Sequence, residues 1–132
     1  MKQVFSRNWI RSKQPRKQRK YLANAPLHLR HKFFSTALSK ELKKKYGRNS
    51  FPLRKGDKVK IMRGQFKKKE GKVVRINNKK IKTYIENIQL IKKDGSKVFY
   101  PIHPSNIIIT ELLLDDKKRK LALDRKKQNV TS

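Results

Sequence analysis

The fold class predicted by this sequence is a mainly β domain, a small closed barrel with flanking short helices, a basic N-terminal arm and a C-terminal helix. Three observations predict it. From residue 51 onward apolar residues recur with period two, as strands with one buried face require. Turn residues interrupt those runs at Gly64, Asn77-Asn78, Asp94-Gly95 and Pro101–Pro104. The charge is also lopsided: residues 1–40 hold eleven Lys and Arg and no acid. Such a block of like charge cannot collapse alone and reads as an arm.

The arm is assigned to residues 1–24. Trp9, Tyr21 and Pro15 mark it as a segment that becomes ordered on a partner. Residues 25–50 read as two short helices. Pro26 suits a first helical position, and Leu27, Leu29 and the run to Phe34 continue without a breaker. Ser39 is the expected N-cap of Lys40–Tyr46, Gly47 its C-terminal cap, and Leu38, Leu42 and Tyr46 fall on one helical stripe.

Residues 51–112 supply six strand-like runs: 58–62, 71–76, 81–86, 88–92, 97–102 and 107–112. Val59/Ile61, Val74/Ile76, Ile81/Thr83/Ile85 and Val98/Tyr100/Ile102 are the expected inward faces. Closure of so many short strands into a barrel removes exposed edges. Residues 113–132 read as a helix capped by Asp115 and Asp116, with Leu121 and Leu123 as its apolar content.

Composition narrows the function. The 132 residues suffice for one domain, and 38 Lys and Arg against 9 Asp and Glu give a formal net charge of +29. Apolar residues are 35%, below the roughly 45–50% of self-sufficient domains. Self-repulsion at this charge destabilises a compact isolated state, and a polyanion relieves it. A small-molecule enzyme with a thick buried pocket is therefore disfavoured. No cysteine is present, so disulfides, thiolate metal sites and cysteine nucleophiles are out. No apolar run reaches the roughly 18–20 residues of a spanning helix, and the first eleven residues lack a signal-peptide core, so no membrane insertion and a cytoplasmic location are expected.

Catalytic residues are not expected. The acids are dispersed, and the pair Asp115-Asp116 is explained by capping. His28 and His31 share a helical face, but a metal site needs further ligands, so metals and cofactors are expected to be none. The informative segment is Arg63-Gly64-Gln65-Phe66-Lys67-Lys68-Lys69-Glu70-Gly71-Lys72, which joins two alternating strands. Clustered ammonium groups on a glycine-hinged tip meet phosphates, and Phe66 either packs inward or offers a stacking face.

That segment, with Lys55-Gly56-Asp57-x-Val59 before it, resembles the KOW motif of RNA-binding SH3-like barrels. Four further blocks resemble one family. They are Gln14–Lys20, Asn24-Ala25-Pro26-Leu27-His28, Leu38-Ser39-Lys40-Glu41-Leu42 and Tyr100-Pro101-Ile102-His103-Pro104-Ser105-Asn106. The family is the universal large-subunit ribosomal protein twenty-four, in its archaeal and eukaryotic form. The resemblance runs from about Arg11 to Lys127, and the last block leans archaeal. In one place the chain departs from it: Lys68 stands where the family usually has glycine, which strains the loop if that position needs a positive φ.

The resemblance implies a structural constituent of the large ribosomal subunit. It implies contact with the 5′ part of the large ribosomal RNA, a place near the polypeptide exit tunnel, and early entry into assembly. RNA contacts are expected from Arg11, Lys13, Arg16, Lys17, Arg19 and Lys20 in the arm, and from His28, Arg30, His31 and Lys32 in the first helical segment. Arg54, Lys55, Arg63, Gly64, Gln65, Phe66, Lys67, Lys68, Lys69, Lys72, His103 and Ser105 complete the set. The expected partners are ribosomal RNA and neighbouring ribosomal proteins, with no homo-oligomer and no small-molecule substrate. A KOW-type transcription elongation factor and a nucleoid-type DNA binder are the alternatives.

Overall fold

Three consecutive isoleucines, Ile107, Ile108 and Ile109, build the strand around which the chain is organised. In this computed structural model residues 5, 6, 8 and 11–130 are described, with side chains as far as Arg125. The helices are α1 (Pro15–Asn24), α2 (Leu27–Phe33), α3 (Lys40–Tyr46) and α4 (Lys117–Val130). The strands are β1 (Ser35–Leu38), β2 (Ser50–Pro52), β3 (Lys58–Ile61), β4 (Glu70–Asn77), β5 (Lys82–Ile85), β6 (Gln89–Ile91), β7 (Lys97–Phe99) and β8 (Ile107–Glu111). The fold is mainly β with short flanking helices, as expected.

Six strands form one sheet in the order β2-β1-β8-β3-β4-β5, and β6 and β7 form a separate hairpin. β8 lies antiparallel to β3, with Val59 opposite Ile109 and Ile61 opposite Ile107, and parallel to β1. The last strand in the chain thus stitches residues 35–52 onto the motif-bearing strands. The ladder does not return from β5 to β2, so among the described residues it is an open sheet rather than the closed barrel expected. β5 is extended instead by a pair of hydrogen bonds between the backbones of Thr83 and Ile102, 2.8 and 2.9 Å.

Val59, Ile61, Val73, Ile85, Ile88, Ile107 and Ile109 form the centre of the core, with Leu38 from β1 and Leu123 from α4. One inward face differs from its expectation. The register of β4 shifts between Val73 and Arg75, so Val73 is buried and Val74 only half-buried. A bulge adds one residue and moves the alternation to the other face. Gly71 on β4 permits the approach of β5: a Cβ there would lie 2.8 Å from the Glu86 carbonyl oxygen and from Ile85 Cγ2.

The helical segment carries two differences. Leu38 lies in β1 rather than on a helical stripe with Leu42 and Tyr46, although all three pack in or against the core. Ser39 begins α3 as expected, its hydroxyl accepting from the Leu42 N–H, and Gly47 ends it at φ 63. The arm expected to be extended contains α1, a helix with no buried residue, in which Tyr21 packs against Phe5 and Phe33. Trp9 lies outside the described residues.

α4 is fastened by an ion pair invisible in the local sequence. Arg119 donates through both terminal nitrogens to the Asp57 carboxylate, each bond 2.6 Å, and both side chains are buried. Asp57 also accepts from the N–H groups of Arg54 and Leu113. Asp116 caps α4 through the Lys118 N–H, while Leu121 is exposed and Leu123 alone of the two leucines reaches the core.

Candidate nucleic-acid interface

The loop between β3 and β4 is closed at its base by two backbone bonds. Lys68 N–H donates to Ile61 O at 2.8 Å, and Ile61 N–H donates to Lys69 O at 2.9 Å. Inside that clasp the chain turns at Gly64 (φ 93) and again at Lys68 (φ 70). Lys68 therefore does occupy the left-handed region, where a side chain costs about 1–2 kcal/mol. Phe66 resolves to the inward option. It is half-buried against Tyr100, ring centroids 5.2 Å apart, with Lys69 Nζ 5.1 Å from its ring centre. Seating Phe66 on the core leaves Arg63, Gln65, Lys67, Lys68 and Lys69 exposed on a braced tip, with Lys72 exposed on the adjoining strand.

Next to this tip lies a pocket that Arg63, Gly64, Gln65 and Phe66 line from one side and Lys82, Tyr100, His103 and Asn106 from the other. His103 Nδ1 accepts from the Ser105 N–H at 3.2 Å and lies 2.8 Å from its hydroxyl. That arrangement puts the ring proton on Nε2 of the neutral imidazole. Burial, with the charge of Lys82 second, holds the His103 pKa below its ordinary value. Lys82 was not among the expected contacts. The available signal was its alternation with the buried Ile81 and Thr83, which places it on the outer face.

A second group gathers around an open groove lined by His31, Lys32, Arg54 and Lys55, with Phe34, Pro52, Leu53, Ile76 and Asn78. Arg54 is held at 2.7 Å by Asp116, and that bond keeps the Asp116 carboxyl below the usual range. A third group is the arm, where Arg11, Lys13, Arg16, Lys17, Arg19 and Lys20 lie on or near the surface, Lys13 among them. His28 is exposed on α2. Arg30 serves the chain itself, since its guanidinium donates to the carbonyls of Ala23 and Ala25 at the end of α1. Only four acids pair with cations among the described residues: Asp57, Glu70, Glu111 and Asp116. The surface is thus a phosphate-seeking field with two concave places in it. No group of three or more metal-ligating side chains occurs among the described residues.

The model of one family, the ribosomal proteins called L26 in eukaryotes and L24 in archaea, matches residues 12–126. The chain belongs to this family. A relative named large ribosomal subunit protein uL24 in Methanosphaera stadtmanae is 52% identical over 115 residues, covering 87% of this chain and 98% of the relative. Another of the same name in Korarchaeum cryptofilum is 50% identical over 117 residues, 89% of each chain. The matched range takes in α1, the β3–β4 loop and Arg119, so the buried Asp57–Arg119 pair joins two parts of the family's own unit. It stops short of residues 1–11.

Proposed function

We propose that this protein is a non-catalytic structural component of the large ribosomal subunit that binds ribosomal RNA chiefly through its phosphates. The observation that carries the reading is the braced β3–β4 tip with Arg63, Lys67, Lys68 and Lys69 exposed together, in a chain belonging to a ribosomal protein family. Lysine and arginine on such a tip displace condensed counterions from RNA. Base-specific reading has a minor share. The resemblance extends the proposal to the 5′ part of the large ribosomal RNA, early entry into assembly, a position near the exit tunnel and neighbouring ribosomal proteins as partners. His103 and Ser105 line the same corner as the tip, and the arm lays further cations along the RNA.

A transcription elongation factor of the KOW type and a nucleoid-type DNA binder remain the competing readings. Sedimentation of a cell lysate through a sucrose gradient after a high-salt wash separates them. A core ribosomal protein stays with the large subunit in the cytoplasmic ribosome fraction. Release into the light fractions, or recovery with polymerase or chromosomal DNA, contradicts the proposal.

A further inference from the structure

We propose that the groove between α2, the segment joining β2 to β3 and the end of β4 receives one unstacked nucleotide of a folded RNA. This rests on the RNA-binding reading above and assigns a subsite within it. The groove holds about 610 Å³, inside the roughly 300–1,000 Å³ of ligand pockets. Pro52 and Ile76 offer apolar surface over the buried Phe34 and Leu53. Asn78 adds an amide with both donors and an acceptor. Lys32, Arg54 and Lys55 line the same groove, and no acidic side chain does among the described residues.

The mixture decides the occupant. An apolar peptide segment would confront three cations without partners, and a bare phosphate would leave Pro52 and Ile76 unused. A nucleotide carries both complements: a flat ring with a polar edge, and an anion on either side of the sugar. Bases inside an A-form helix are out of reach of side chains, whereas a bulged or looped base is free to leave the stack. The receptor is also braced. Asp116 holds Arg54 at 2.7 Å. Asn77 secures the turn that carries Asn78, its Oδ1 accepting from the N–H groups of Lys79 and Lys80 at 3.1 and 3.2 Å.

The test compares three RNA hairpins at one salt concentration with the full chain: fully paired, with a single adenosine bulge, and with an abasic ribose at the bulge. The adenosine bulge is expected to bind about tenfold tighter than the paired hairpin, the scale of one base contact. The abasic bulge should lose that gain. In the variant Asn78→Trp, which fills the groove, the ratio of bulged to paired affinity should fall to about one. Equal affinity for all three RNAs, an abasic bulge as good as adenosine, or an unchanged ratio in a folded Asn78→Trp variant overturns the groove and leaves general RNA binding standing. The abasic comparison alters only the RNA, so it decides even if the variant fails to fold. Failure to bind any of the hairpins overturns the RNA reading itself.

Discussion

Lys68 has a left-handed backbone, φ 70, at a position where the resemblance leads one to expect glycine. The strain is compatible with the fold because Phe66, inserted against Tyr100, and the two bonds at the loop base fix the turn independently of residue 68. Lys68→Gly relieves about 1–2 kcal/mol of backbone strain and gives back roughly 0.5–1 kcal/mol in unfolded-chain entropy. The urea midpoint should rise by the equivalent of about 0.5–1 kcal/mol; a fall would mean that the lysine side chain stabilises the loop. His103 carries a second residue-scale expectation. Its pKa is lowered in the folded protein by burial and by Lys82, so below its ordinary value of 6.5 the unfolded chain binds the proton more readily. Stability is therefore intact above that pH and is lost as pH falls below it. Wild type should lose more melting temperature than His103→Asn as the pH is taken from about one unit above that value to about one unit below it. Parallel losses would show that His103 does not titrate differently on folding.

Elements read well where the pattern was local and poorly where it was not. α3 has its serine cap and glycine terminus, and the six strands after residue 51 occur where their alternation placed them. β1 and β2 escape sequence reasoning because Ser35–Leu38 and Ser50–Pro52 are too short to carry a period and are extended by pairing with each other and with β8. α1 escapes it because its ten residues, four of them Lys or Arg before Tyr21, read as an unstructured basic run. The buried role of Arg119 was illegible for a different reason. Within Lys117–Arg125 nothing local distinguishes it from its basic neighbours, and its partner Asp57 is 62 positions away. Removing one member of a buried pair strands the other charge, at a cost of about 3–5 kcal/mol. Asp57→Ala and Arg119→Met should each lose about that much in denaturant unfolding, and the double variant clearly less than their sum. Additive losses would mean that α4 is held by Leu123 and the Arg48 bond to the Ala122 carbonyl rather than by the pair.

At the scale of the whole molecule, the charge announces the partner class and the fold distributes it. A formal charge of +29 with four acids paired among the described residues leaves a surface that repels itself until a polyanion arrives. The cationic tip was readable because its residues are consecutive. The groove was not, because Lys32, Arg54, Ile76 and Asn78 come from separate elements and meet only when the sheet brings α2 beside the end of β4. The central claim is that the tip binds RNA by neutralising phosphates. The measurement that tests it most directly is the slope of log affinity against log salt for a large-subunit RNA fragment. It is to be taken for the full chain and for the folded variant with Lys67, Lys68, Lys69 and Lys72 all replaced by Ala. Each lysine that meets one phosphate contributes about 0.7–0.9 to the slope, so its magnitude should fall by up to roughly three units. An unchanged slope in the folded variant would contradict the account and place the tip against solvent or protein.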